Sequence, residues 1–455
     1  MLRWYLLTGV VGVALAQPAA AQPAPAETTT PLSFADAVGA AERAAESVAV
    51  ARADVERSRA KVLSARAGYL PTVNGSLQYQ RTLASEFDDI MFGPPAMTTE
   101  EVDLPFGQPN NWRLNVQASQ PLFDGFRTSA AVDAARAGVR VSELGVKSTR
   151  AQVVLQVAQV YFDAALAERQ VEIAELTLQQ TQQTLDETRL GFKQGATPEF
   201  DVVRAEVAHE NQQTLLVRFR VQRDVLFVQL RRLIGMPLDR RLELTSRLDA
   251  ANIEQVLVAA RTAAGVANPT RVAVTQAKES VAIGEASVRL ARADYLPTLS
   301  AGTDFGLVDY QNQPFNSNWR TNWTVGVTLS LPIFDGFRRR SAVRSSEADL
   351  SAARSQLQNA REVSDVERAQ AQAAVEASQT QLETTRRTIQ QAQRTYEIAE
   401  LRFSQGASTH LELIDARVQL EQSQLNQAGA ERDLRIARLR QELLPALPLG
   451  AVAGF

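Results

Sequence analysis

Much of this chain is written twice. Tyr69-Leu70-Pro71-Thr72 returns as Tyr295-Leu296-Pro297-Thr298, and Asn111-Trp112 returns as Asn322-Trp323. Pro121-Leu122-Phe123-Asp124-Gly125-Phe126-Arg127 returns as Pro332-Ile333-Phe334-Asp335-Gly336-Phe337-Arg338. Phe192-Lys193-Gln194-Gly195-Ala196 returns as Phe403-Ser404-Gln405-Gly406-Ala407, and from the Phe-Asp-Gly-Phe block to this one the offset stays at 211 residues. A repeat of this length is one structural unit duplicated, so each copy is read as half of a larger object. The predicted division is a leader at 1–21, a first repeat at 22–245, a second at 246–445 and a tail at 446–455.

Within each copy two short stretches alternate with period two, the signature of strands with distinct faces. Val73, Leu77 and Tyr79 form the first apolar row, and Trp112, Leu114, Val116 and Ala118 the second. Leu299, Ala301, Phe305 and Leu307 form the third, and Trp323, Val325, Val327, Leu329 and Leu331 the fourth. The predicted hairpins span about 71–121 and 297–331, joined by a longer connection at 82–110 and a shorter one at 309–320. Aromatic residues cluster at the stretch ends: Tyr69, Phe123, Phe126, Tyr295, Phe334 and Phe337 at one, Trp112 and Trp323 at the other. Two such belts are what the two interfaces of a bilayer select.

A soluble antiparallel sheet with one wet face shares the same period. The N-terminus favours the membrane: Arg3, an apolar run from Trp4 to Ala16 and the small residues Ala19-Ala20-Ala21 predict a secretory leader cleaved near Gln22. No later run of apolar residues is long enough for a spanning helix, so a membrane location requires a barrel. Four strands cannot close one. Two chains would give a narrow eight-stranded barrel filled by side chains, and three would give twelve strands and a lumen.

Each strand pair is followed by a helical tract without proline, 127–193 and 338–403, which could extend roughly 100 Å. Apolar residues seven apart mark a coiled-coil seam in both: Val171, Leu178, Leu185, Phe192, and Leu382, Ile389, Tyr396, Phe403. Gly195 and Gly406 are the expected left-handed caps at the tract ends. Thr197-Pro198 reads as N-cap and first residue of a return helix that runs to about Ile234, with Ser408 the equivalent cap of one running to Leu444. Further helices are expected at about 33–68 and 253–293. At the strand-to-helix junctions Pro121 and Pro332 should end the ladder, Asp124 and Asp335 cap, and Gly125 and Gly336 supply the swivel.

Composition narrows function by exclusion. There is no cysteine, hence no disulfide and no lipid acceptor at a mature N-terminus, and a net charge of −3 over 455 residues argues against a nucleic-acid binder. No phosphate loop, zinc-protease helix or serine-nucleophile elbow occurs, and no cofactor is expected. His209 and His410 lie apart without ligand spacing and read as solvated surface residues.

These residues resemble the TolC-like outer membrane efflux protein family. The resemblance is carried by Ala-Arg-Ala-x-Tyr-Leu-Pro at 65–71 and 291–297, by the duplicated Pro-x-Phe-Asp-Gly-Phe-Arg, and by Phe192 to Ala205 with Phe403 to Ala416. Leu32 to Val38 resembles the family's opening helix, and the match covers nearly the whole mature chain. The resemblance implies a mainly α chain with two β-hairpins, forming a homotrimer with a twelve-stranded outer membrane barrel and a periplasmic α-barrel. Implied partners are outer membrane lipid, a periplasmic adaptor and an inner-membrane transporter of a tripartite efflux or type I secretion system. It also implies a periplasmic constriction near the second turn, where Glu412 and Asp415 stand three apart, with Asp201 and Arg204 aligned to them in the first copy. Arg204 could pair with Asp201 or Asp415 and hold that mouth closed. In a competing reading, Thr409 and Glu412 form a capping box. A periplasmic coiled-coil adaptor would explain the helices but needs the four stretches to be soluble sheet, and an envelope enzyme has no assembled nucleophile to support it.

Overall fold

The computed structural model describes residues 30–84, 108–248, 253–265, 270–311 and 319–450. The predicted leader, most of both strand connections and the last five residues lie outside them. The chain opens with β1 (Thr30–Leu32), α1 (Phe34–Ala44) and α2 (Glu46–Arg66), then β2 (Thr72–Arg81) and β3 (Asn110–Phe123). Next come α3 (Arg127–Lys193), α4 (Glu199–Leu233), β4 (Leu242–Leu244), α5 (Ile253–Ala264) and α6 (Val272–Ala293). The second copy closes with β5 (Thr298–Gln311), β6 (Arg320–Ser330), α7 (Arg338–Ser404) and α8 (His410–Leu443).

The four long strands form one antiparallel sheet in the order β2-β3-β5-β6, so among the described residues β2 and β6 each present an unpaired edge. Register does the rest. It sets Tyr79 opposite Trp112, Leu77 opposite Leu114 and Leu114 opposite Leu307. Val116 faces Phe305, and Phe305 in turn faces Trp323. The four apolar rows therefore merge into one continuous face, and a slip of one residue anywhere would break it. On that face the Trp323 indole N–H is satisfied by Thr303 Oγ1 at 2.8 Å.

β3 does not stop at Pro121. Pro121 pairs with Ser300 and Phe123 with Leu299, leaving Leu122 as an extra residue in a bulge. A bulge is where a sheet tolerates a residue with no N–H to donate. β3 is central and keeps a partner there, whereas the edge strand β6 ends at Ser330, before Pro332.

At both junctions the chain turns through two successive left-handed residues, Gly125-Phe126 and Gly336-Phe337, all with φ of 66–67°. A phenylalanine at positive φ is strained by roughly 1–2 kcal/mol. Local contacts offset that cost. Asp124 Oδ2 accepts from Thr128 N at 2.7 Å, and Asp335 Oδ2 from Arg339 N at 2.9 Å. Phe126 packs edge-on against Phe123 at 5.4 Å, and Phe337 against Phe334 at 5.8 Å.

α3 and α7 are each 67 residues long, roughly 100 Å of helix. Both end in the same cap. Gly195 N and Ala196 N bond back to Phe192 O and Gly191 O, and Gly406 N and Ala407 N to Phe403 O and Arg402 O. Gly195 and Gly406 take φ of +74° and +70°, the glycine-favouring geometry of a Schellman motif. The return helices start one residue later than the sequence suggests. Pro198 is the N-cap of α4 without a side-chain bond, and Thr409, not Ser408, caps α8. Thr409 can rotate its hydroxyl onto Glu412 N, whereas Ser408 has already turned inward.

Buried seam residues Val171, Leu185, Leu382 and Tyr396 zip the hairpins together, while Phe192 at the first tip stays 45% exposed. The largest core lies midway, where α1, α5 and a short parallel sheet of β1 with β4 pack on α3. Tyr161 is fully buried there, donating to Leu32 O at 2.9 Å and accepting from Ser246 N at 3.1 Å. Nearby, a buried Arg271–Glu367 ion pair sits under the C-terminal segment, with Gly450 N on Glu367 Oε1 at 2.5 Å and Val272 N on Pro445 O at 2.8 Å.

The two swivel glycines differ in their surroundings. A Cβ on Gly125 would lie 2.9 Å from both Ala293 O and Leu296 Cβ, whereas on Gly336 it meets nothing within 4 Å among the described residues. Gly336→Ala should therefore cost only the backbone term, about 1 kcal/mol, and Gly125→Ala distinctly more. Thermal denaturation of the two purified variants checks this, and equal losses would contradict it.

Candidate functional site at the helical tips

The tips of the α3–α4 and α7–α8 hairpins meet and line an open cavity of about 520 Å³. Glu187 and Thr188 of α3, Thr197, Asp201 and Arg204 of the first tip, and Phe403, Ser408 and His410 of the second line it. His410 is a correction to the sequence reading. It is buried at 5% exposure, its ring against Phe403 at 5.5 Å, and burial pulls its pKa below the usual histidine value. The first residue of α8 points inward because the preceding cap, Thr409, fixes the entry of the chain. His209 is half-buried, with Nδ1 3.5 Å from Thr181 Oγ1.

Glu412 and Asp415 stand exposed on one face of α8, opposite the buried Leu413, Ala416 and Leu420. Glu412 Oε2 lies 4.0 Å from Arg402 Nη1. Thr409 supplies half of the alternative capping box, accepting from Glu412 N at 3.4 Å. Arg204 stacks over the Phe200 ring at 4.9 Å and, among the described residues, forms no ion pair with Asp201 or Asp415. A guanidinium on an exposed ring keeps its hydration, which a pair with the half-buried Asp201 would forfeit.

Two polar ties between the hairpins escaped the sequence reading. Buried Arg417 of α8 donates to Thr184 Oγ1 of α3 at 2.7 Å and lies over the Tyr396 ring at 6.0 Å. Gln212 of α4 donates to Glu421 of α8 at 2.8 Å, and burial raises the Glu421 pKa. The legible signal was a second stripe on α3. Thr177, Thr181, Thr184 and Thr188 recur at spacings of four, three and four, and all are buried. Each hydroxyl bonds a carbonyl of its own helix, which lets a polar row pack tightly.

The profile of the outer membrane efflux protein family matches residues 38–236 and 273–443. The chain belongs to the outer membrane efflux protein family. It is 23% identical over 254 residues to nodulation protein T of Rhizobium leguminosarum, covering 55% of this chain and 51% of that protein. It is 30% identical over 160 residues to the pyoverdine export outer membrane protein OpmQ of Pseudomonas putida, covering 34% and 33%. The matched regions thus span about half or less of those relatives. The fold is that of the outer membrane protein VceC of Vibrio cholerae, with a TM-score of 0.72 at 19% identity over 92% of this chain and 96% of that one. That fold is mostly helical, with long helices and β-hairpins.

A second cavity, about 610 Å³, lies nearer the middle of the hairpins and collects Glu168, Glu172, Glu175, Glu243 and Glu431 beside Arg169, Arg223 and Arg247. Burial, followed by repulsion from Glu172, raises Glu168 to about 7. The folded state thus holds this proton where the unfolded chain has released it, so stability falls as the pH rises from about 4.5 through about 7. Glu168→Gln should raise the unfolding temperature at pH 8 and leave it nearly unchanged at pH 4.5. Thermal scans at the two pH values measure the difference.

Proposed function

We propose that this protein is the outer-membrane duct of a three-component exporter, a passive homotrimeric channel supplied by an inner-membrane transporter through a periplasmic adaptor. One observation carries the reading. A four-stranded sheet with an apolar face and, among the described residues, two open edges runs through two short junctions into two helices of roughly 100 Å. In lipid each backbone polar group needs a partner, and three copies, edge to edge, give twelve strands with a water-filled lumen. The aromatics Tyr69, Trp112, Phe123, Tyr295, Trp323 and Phe334 at the strand ends suit the two bilayer interfaces. The leader at 1–21, without a cysteine behind it, suits export to the outer membrane without lipidation. Membership of an efflux family, and a relative named for pyoverdine export, support an exported cargo, of the class of drugs, toxic solutes or proteins.

The helical tips form the periplasmic mouth in this reading. The exposed face bearing Glu412 and Asp415 turns to the axis, and three copies bring six carboxylates to one constriction. Asp201 and Arg204 flank it. Gly195 and Gly406 are its pivots, and the junctions at Pro121, Asp124 and Gly125, and at Pro332, Asp335 and Gly336, tie barrel to helices. Residues 22–245 and 246–445 serve as the two equivalent halves of each protomer.

Light scattering of the detergent-purified protein should give three chains per particle; a stable folded monomer in lipid would overturn the architecture. In planar bilayers the wild type should prefer cations and be blocked by multivalent cations, because a ring of carboxylates selects by sign. Glu412→Gln with Asp415→Asn should abolish both effects while trimers persist. Unchanged selectivity would place these carboxylates away from the axis.

A further inference from the structure

We propose that His410 is a proton-sensitive contact between the two helical tips, docked as a neutral ring and driven out when it is charged. The first residue of α8 is buried in a cavity whose opposite wall is the other hairpin. Neither Nδ1 nor Nε2 has a hydrogen-bond partner among the described residues, and Ser408 Oγ beside it is unpartnered too. A neutral imidazole tolerates this poorly, and an imidazolium far less, because two buried N–H donors would carry the charge unsolvated.

The facing charges do not rescue the cation. Asp201 of α4 favours it, while Arg204 of α4 and Arg417 of α8 oppose it. From α3, Glu187 lines the same cavity; α7 contributes the apolar ring of Phe403. The nearest charged group at the end of α7, Arg402, stands beside Glu412 outside that lining. Burial is the largest influence and holds the docked ring below its ordinary value of about 6.5. A basic group with a depressed pKa gives a contact of full strength above that value. Below it, docking weakens by up to about tenfold per pH unit until the docked ring itself protonates. Acid thus loosens one tip from the other within a single chain, whatever the cargo.

The sequence supplies convenient controls, having two histidines and no cysteine. In the full-length protein carrying His209→Gln, NMR of ¹³C-labelled histidine should show His410 titrating below about 6.5; a midpoint at or above that value overturns the proposal. Spin labels at Lys193→Cys and Ser404→Cys, in labelled chains diluted among unlabelled ones, report the separation of the tips. The distance distribution should lengthen and broaden from pH 7.5 to pH 5 with His410 present and stay fixed in His410→Phe. Should the phenylalanine variant not fold, His410→Gln is the second neutral replacement. A pH response that survives either substitution assigns the effect to Asp201 or Glu187, and no response in the wild type also defeats the proposal. Loss of trimers or of cation selectivity, by contrast, would bear on the duct reading alone.

Discussion

Everything in this chain follows from a sheet that cannot stand alone. Four strands bring their apolar rows into register on one face, and among the described residues both outer strands leave one edge unpaired. In water the face would aggregate, and in lipid the edges would each forfeit several hydrogen bonds. Neither problem has a solution within one protomer. In the proposed assembly, closure by identical copies would remove both at once and would stand the helices leaving the sheet side by side around the same axis. The long exposed stretch at the start of α7 is what such a neighbour would cover.

That transfer from sheet to helix depends on a strained turn used twice. Gly-Phe in consecutive left-handed conformations redirects the chain within two residues, and an aspartate immediately before it captures the first free helical amide. The second junction is further wrapped by Arg339, whose guanidinium bonds Asp335 and Pro332 O and lies over Tyr295. At the first, the aligned residue is Thr128, and close packing of Gly125 on Ala293 and Leu296 replaces the wrap. One geometry is thus held by packing in one copy and by a side-chain clamp in the other.

How much of this was legible depended on whether the determining interaction was local. Strand alternation, heptads and the cap glycines are patterns within a few residues, and strands and long helices appear at nearly the anticipated places. The short β1–β4 pairing was not legible, since three-residue strands 212 apart carry no periodic signal. Pro121 misled because its tolerance depends on a bulge against β5, a partner far along the chain. His410 misled for the same reason, since polarity predicts exposure unless the opposite wall is known, and buried Arg417 drew no reading at all. The threonine stripe was readable in principle, but polar heptads are easily taken for a wet face.

Divergence between the copies shows where the duplicated frame acquired a direction. Arg189 and Glu206 of the first hairpin form an ion pair at 2.7 Å and close that hairpin on itself. Their equivalents 211 residues on are Glu400 and Arg417, the same two positions with the charges exchanged. They do not pair in the same way. Glu400 accepts from Tyr396 at 3.0 Å, which frees Arg417 to reach across to Thr184. Likewise exposed Glu199 of the first tip becomes buried His410 in the second. The two hairpins are thus held together by polar bonds, Arg417 to Thr184 and Gln212 to Glu421, that must be broken if they are to part. Hydrophobic burial between them would be indifferent to direction and hard to reverse, whereas a few buried polar ties fix one docked geometry and can be exchanged for water.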